Sequence, residues 1–242
     1  MGQRRTIELS GRYWRDYPRQ EPLGEATEEL SLGVDETVFL LIDVYGAVES
    51  EASPKVPAFY REAPGNPKGQ IVRERIAPAR AAARRAGLSV VYVTNHLSPG
   101  LTEQNEWRNL SIRTCGVDVL EHWQEPAEVL QHAEVIAPGE NEPVVKKQHY
   151  SGFFETDLDS VLRNRSARNL VVVGFDSRIC LAATVTDALY RDYRVIVLRE
   201  SVATTEYPET QAGGWANFLA MRFIESCVGY TAKTDDFIRA CD

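Results

Sequence analysis

Residues 169–198, NLVVVGFDSRICLAATVTDALYRDYRVIVL, decide how this chain folds. Leu170–Gly174 and Arg194–Leu198 are short, β-branched apolar runs, and both read as strands covered on two faces. Ile179–Asp192 carries a helical pattern between them. Strand, helix and strand in this order make a unit whose crossover is right-handed. The pattern repeats outward. Val38–Asp43 (VFLLID) and Leu88–Thr94 (LSVVYVT) are further buried strands, and Pro143–Lys147 (PVVKK) is a weaker fifth. Ile71–Arg85 is an Ala/Arg-rich helix with Gly87 as its stop, and Pro78 either kinks it or opens its second half. Thr156–Arg165 places Leu158, Val161 and Leu162 on one helical face, and Pro208–Cys227 completes the alternation. The expected fold class is α/β, a three-layer α/β/α domain on a mostly parallel sheet, spanning 37–242. Residues 1–36 form a polar lead with Tyr13, Trp14 and Tyr17, expected to wrap the domain or a neighbouring subunit. Residues 44–69, with four prolines, read as a long loop after the first strand, of the kind that often carries function.

Composition narrows the function classes. The chain has 242 residues, 43% hydrophobic and 26% charged, with a formal net charge of −8. Those proportions suit a globular protein that buries its own core. No apolar run approaches the roughly 18 residues of a membrane span, and the N-terminal stretch has no apolar signal segment, so a cytoplasmic protein is expected. A pI near 5.2 argues against a nucleic-acid partner. A local pocket can still attract an anion. Cys115, Cys180, Cys227 and Cys241 form no C-x-x-C pair, and no His stands at zinc spacing from them. They read as free thiols, with neither a metal nor a cofactor expected.

In a parallel α/β sheet the site lies beyond the carboxyl ends of the strands. Asp43 ends the first strand, where a carboxylate is a cap, a structural hydrogen-bonder or a base. Asn95 and His96 end the second, and Lys147 ends the weaker one. The turn Gly174-Phe175-Asp176-Ser177-Arg178-Ile179-Cys180 puts Cys180 in the first turn of a helix, with Ser177 a suitable N-cap. A helix start favours an anion, so a thiolate there is stabilised, although an isolated cysteine is as often structural. Among the histidines, His96 and His149 could approach it, whereas His122 and His132 lie in a polar helical region. A Cys–His pair is thus weaker than one using a carboxylate and an amine.

Asp43 after VFLLI, Lys147 before the YSGFF run and Cys180 after GFDSRI together resemble the isochorismatase-like cysteine hydrolases. The resemblance covers about residues 36–237. KKQHYSGFFETDLDSVLRNRSARNLVVVG looks most like the ureidoacrylate amidohydrolases, and more distantly like biuret and triuret hydrolases. It implies a metal-independent Cys180–Asp43–Lys147 triad. Asp43 would take the thiol proton, Lys147 would stabilise the thiolate, and the backbone N–H groups of Asp176 and Cys180 would form an oxyanion hole. It also implies a cis peptide at Phe175–Asp176. The reaction implied is cleavage of a C–N bond in a small ureido or carbamoyl compound or amide through an acyl-enzyme. Asn95, Tyr150 and Phe153 are the candidate substrate contacts. The expected partners are a small-molecule substrate and further copies of the chain, as homodimer or homotetramer, with no membrane partner.

Departures from the family pattern bear on the substrate. Val44-Tyr45-Gly46 replaces the usual Met-Gln-Asn type of sequence, and Asp176-Ser177-Arg178 puts a charged pair at the pocket mouth. Leu97 stands where the ureidoacrylate enzymes carry Trp. VTNHLSPG lacks the Asp-x-His of metal-binding nicotinamidases, and true isochorismatases lack the cysteine. Hydrolysis of another small amide or hydrazide remains open on the same triad. A non-catalytic binding or assembly subunit on this fold is the alternative from a different class.

Overall fold

A computed structural model describes residues 5–16, 23–45, 67–96, 105–116, 118 and 130–242. Most of the expected 44–69 loop, Tyr17, Leu97 and His122 therefore lie outside the described residues, as does the side chain of Cys115. Among the described residues eight strands form one sheet: β1 (Thr6–Arg15), β2 (Gly24–Gly33), β3 (Thr37–Ile42), β4 (Ser89–Asn95), β5 (Val144–Lys147), β6 (Asn169–Phe175), β7 (Arg194–Ala203) and β8 (Tyr230–Ala232). Their order is β2-β1-β8-β7-β6-β3-β4-β5. From β8 to β5 every pairing is parallel, while β1 is antiparallel to both β2 and β8.

The helices are α1, α2 (Glu106–Cys115), α3 (Leu158–Arg163), α4 (Cys180–Leu189), α5 (Trp215–Cys227) and α6 (Thr234–Ala240). α1 is an α turn (Lys68–Ile71), a π segment (Val72–Ile76) and an α segment (Ala77–Ala86). Pro78 is the second residue of that last segment, directly after the π segment, and Gly87 closes the helix at φ +89°.

Alternation along each strand divides the core between two faces. Phe39, Leu41, Val90, Tyr92, Val171, Val173, Ile196 and Leu198 pack with the alanines of α1 and with Phe237 of α6. Val38, Leu40, Val91, Val93, Leu170, Val172, Val195 and Val197 pack instead with Leu158 and Leu162 of α3, Leu181 and Val185 of α4, and Met221 and Ile224 of α5. The three layers expected from the sequence are thereby present.

Two readings change. Over its described residues the polar lead is an antiparallel hairpin that widens the sheet, with Thr6 opposite Gly33 and Arg15 opposite Gly24. Its alternating pattern buries Ile7 and Leu9 and exposes the polar residues between. β7 also runs five residues past the expected Leu198, and after a register shift between Val172 and Gly174 its last residues Val202 and Ala203 pair with Gly174 and Phe175.

Candidate active site

β3 lies between β4 and β6, so the chain builds outward from it in opposite directions. The carboxyl ends of strands at such a switch point border a crevice. Asp43 stands there in the left-handed region, at φ +50°, its N–H donating to Val93 O at 2.9 Å. Gly174, at φ +121°, lets β6 press against this strand end. A Cβ at 174 would sit 2.0 Å from Ile42 O, which excludes any other residue. The chain then passes through a cis peptide at Phe175–Asp176 into the turn before Cys180.

Lys147 joins the three strand ends. Its side chain is completely buried, and Nζ lies 2.9 Å from Asp43 Oδ2 and 3.5 Å from Cys180 Sγ. Nζ also donates to Asn95 Oδ1 and, at 3.2 Å, to His149 O. Burial opposes the ammonium, but Asp43 and Cys180 outweigh it and raise the Lys147 pKa above the ordinary lysine value. Cys180 and the Asp43 carboxylate both lie against the Lys147 ammonium, close enough for the carboxylate to act on the thiol. Burial pushes the thiol up, the Lys147 charge pulls it down, and Asp43 pushes it up again, leaving it well above the ordinary thiol range.

Desolvation and the neighbouring carboxylate oppose the thiolate more than the ammonium favours it, so the neutral thiol is the form this setting favours. Lys147 Nζ thereby bridges the Asp43 carboxyl group and the Cys180 sulfur. A proton can pass from sulfur to Asp43 without leaving the cluster.

Ser177 is not the cap of α4. The helix begins at Cys180, with Ile179 at the N-cap position and no side-chain cap. Ser177 Oγ instead donates to Asn217 Oδ1 at 2.7 Å and ties the nucleophile turn to α5. Ser177 N–H donates to Ala203 O, and the N–H groups of Ile179 and Leu181 both donate to Asp176 O. The N–H groups of Asp176 and Cys180 stand outside this pattern.

The other expected site residues separate. Asn95 is buried with its carbonyl oxygen committed to Lys147, so it can offer a substrate only N–H donors. Tyr150 is exposed, its ring edge-on to Trp107 at 6.5 Å. Phe153 is a core residue, stacked on Tyr193 at 6.0 Å and lying under the Arg191 guanidinium at 4.8 Å. It is buried because Gly152 N–H anchors its turn on Thr184 Oγ1 of α4.

Three residues escaped the sequence reading. Tyr45 OH donates to Asp43 Oδ1 at 2.8 Å and receives hydrogen bonds from Asn95 N–H at 2.8 Å and Thr94 Oγ1 at 3.1 Å. The signal was an aromatic residue two places after a strand-end carboxylate. Trp107 packs edge-on to His149 at 5.8 Å, and His149 packs on Phe154 at 5.0 Å, forming an aromatic wall beside the strand end that carries Lys147. Lys68 Nζ lies 2.6 Å from Asp176 Oδ1. Among the described residues, no cluster of three or more His, Cys, Asp or Glu side chains is arranged to hold a metal ion.

An isochorismatase domain matches residues 37–225, which contain all of β3 to β7 and the three strand ends. The chain belongs to the isochorismatase family. It is an isochorismatase-family hydrolase. It is 28% identical over 226 residues to ureidoacrylate amidohydrolase RutB of Methylorubrum extorquens, covering 87% of this chain and 84% of that one. The RutB of Pseudomonas syringae pv. syringae is 29% identical over 235 residues, covering 92% and 91%. Among solved structures, a cysteine hydrolase from Pseudomonas syringae pv. phaseolicola superposes with a TM-score of 0.72 at 23% identity, over 87% of this chain and 94% of that one. N-carbamoylsarcosine amidase from Thermoplasma acidophilum superposes with a TM-score of 0.59 at 26% identity, over 83% and 97%. This isochorismatase-family chain has no helix, among the described residues, long and apolar enough to cross a membrane.

Proposed function

We propose that this hydrolase is a cysteine amidohydrolase that cleaves a C–N bond of a small ureido or carbamoyl compound. The observation that carries the reading is the buried Lys147 ammonium in contact with both the Asp43 carboxylate and the Cys180 sulfur. Relatives named ureidoacrylate amidohydrolase and N-carbamoylsarcosine amidase support the choice of bond.

Asp43 accepts the Cys180 proton as sulfur attacks the carbonyl carbon. Lys147 stays charged and balances the two anions in turn, first carboxylate and then thiolate. The tetrahedral oxyanion takes hydrogen bonds from the Asp176 and Cys180 N–H groups, each worth on the order of 10²–10³ in rate. Collapse expels the nitrogen, which receives the proton held on Asp43. Water then attacks the acyl-sulfur carbonyl, Asp43 takes its proton, and the thiol returns. Tyr45 holds Asp43 in position, and Trp107, His149 and Tyr150 form an aromatic wall for the substrate.

Ammonia release from ureido acids, biuret, triuret, carbamoyl amino acids and simple amides tests this reading, with wild type and Cys180→Ala side by side. Release from a ureide that falls by at least about 10³-fold in the variant is expected. Equal release from both proteins overturns the nucleophile.

A further inference from the structure

We propose that Arg178 is a specificity-determining residue that takes the carboxylate of an anionic ureido substrate, an inference that rests on the amidohydrolase reading above. Arg178 lies two residues before Cys180, on the turn that delivers the nucleophile. Its guanidinium lies over the Tyr207 ring at 4.5 Å and donates to the Tyr207 hydroxyl at 2.7 Å. Tyr207 follows β7, whose last residue Ala203 is paired with Phe175. Arg178 is therefore held at the same end of the sheet as the triad, in an arrangement fixed before any ligand arrives.

The two carboxylates nearest along the chain or in charge are already occupied. Asp176 Oδ1 is paired with Lys68 Nζ at 2.6 Å. Glu206 accepts from the N–H groups of Ala216 and Asn217, both at 2.9 Å, and so caps α5. Burial raises the Glu206 pKa, but the Thr210 hydroxyl, these two N–H groups and the Arg178 charge lower it further, so it remains an ionised cap. Among the described residues no carboxylate comes within ion-pair distance of the Arg178 guanidinium, and its buried Nε has no hydrogen-bond partner.

A guanidinium presents five donors in a planar fork suited to a carboxylate. Here one donor is used by a neutral hydroxyl. Nε is buried without a partner, and the solvent-facing side of the fork is open to an anion during turnover. A ureido acid joins the two functions: its carbamoyl carbon goes to Cys180 and its carboxylate to Arg178.

Two measurements test this on the full chain. The first is the alkylation rate of Cys180, followed by mass spectrometry of its peptide. The probes are N-iodoacetylglycine, which is anionic, and N-ethyl iodoacetamide, which is neutral and of similar length. The ratio of the two rates is expected to fall roughly 10-fold in Arg178→Gln and to recover in part in Arg178→Lys. An unchanged ratio overturns the role of Arg178, whatever the natural substrate. The second is ammonia release from 3-ureidopropanoate and N-propylurea. Arg178→Gln is expected to raise KM for the acid roughly 10-fold while leaving kcat and the neutral urea within about threefold. Equal losses on both compounds overturn the proposal, because a merely structural residue gives that result. Failure of the cysteine-amidohydrolase reading has a different signature: wild type releases no ammonia from any compound of the panel, or release persists in Cys180→Ala, whereas the alkylation ratio is read independently of either.

Discussion

Two buried ions hold opposite ends of this molecule. Lys147, at the carboxyl ends of β3, β5 and β6, is a cation among acceptors: Asp43, Asn95, the His149 carbonyl and the Cys180 sulfur. Glu225, on α5, is an anion among donors: Arg12 Nε at 2.6 Å, Arg222 at 2.7 Å and the Thr231 hydroxyl at 2.6 Å. Its side chain is as inaccessible as that of Lys147. Both obey the rule that a buried charge must be paired. They differ in what the partners can do. Every partner of Glu225 keeps its charge state at ordinary pH, so that network is a clamp joining the N-terminal hairpin to α5 and β8. One partner of Lys147 is a thiol whose proton can move to another, so the same electrostatics becomes a means of exchanging charge between sulfur and oxygen.

Breaking the comparison at its reactive end has the largest expected effect. Lys147→Met leaves Asp43 buried without its counter-ion, a loss of about 3–5 kcal/mol in stability for a broken buried pair. Where the variant folds, turnover falls by at least about 10²-fold, and Cys180 alkylation at fixed pH slows, since the one group pulling the thiol downward is gone. Faster alkylation in the variant contradicts Lys147 as the activating cation.

The clamp gives the complementary result. Glu225→Gln leaves Arg12 and Arg222 facing a neutral amide and is expected to cost about 2–4 kcal/mol, lowering Tm by roughly 5–12 °C. Turnover per folded molecule is unchanged. A large drop in kcat at unchanged Tm shows instead that the two networks are coupled.

The pH dependence sharpens the difference. Because the folded thiol lies above its ordinary value of 9.0, its alkylation by iodoacetamide keeps rising through pH 9–10, where an exposed thiol levels off. The neutral thiol is the form the fold favours, so this contribution to stability is complete below pH 9.0 and is lost as the pH rises above it. A plateau near pH 7 means a resting thiolate. The smallest expected effect is that of Tyr45→Phe, which removes the hydrogen bond to Asp43 together with the acceptor for Asn95 N–H and Thr94 Oγ1, and lowers kcat about 3- to 10-fold. Stopped-flow or steady-state ammonia assays read it directly.

How much was legible follows from the kind of signal each region carries. β3, β4, β6 and β7 declare themselves because strands covered on both faces must be apolar along most of their length, and the first three lead into residues of the site. The hairpin did not, because β1 and β2 alternate apolar with charged residues and hide their period among arginines and glutamates. Asp43 and Cys180 were visible from their positions at a strand end and a helix start. Lys147 was ambiguous by position and gained its role from the resemblance. Phe153 looked like a pocket wall because it follows Lys147 closely, yet the turn at Gly152 sends its ring into the core. Tyr45, Trp107, Lys68 and the pairing of Arg178 with Tyr207 depend on contacts between segments far apart in sequence, which no local pattern reports.

The hairpin also determines what the sheet presents to its surroundings. β2 is the outermost strand on its side, and an open strand edge is a template for the edge of another molecule. Glu28 and Glu29 are exposed along it on opposite faces, whereas Glu25, also exposed, is paired with Arg12 and Arg222. A second β2 laid alongside would bring Glu28 and Glu29 of one copy near the same carboxylates of the other, and like charges facing across paired strands repel. The same residues that disguise β2 in the sequence therefore guard the molecule against growing, copy by copy, into a fibre.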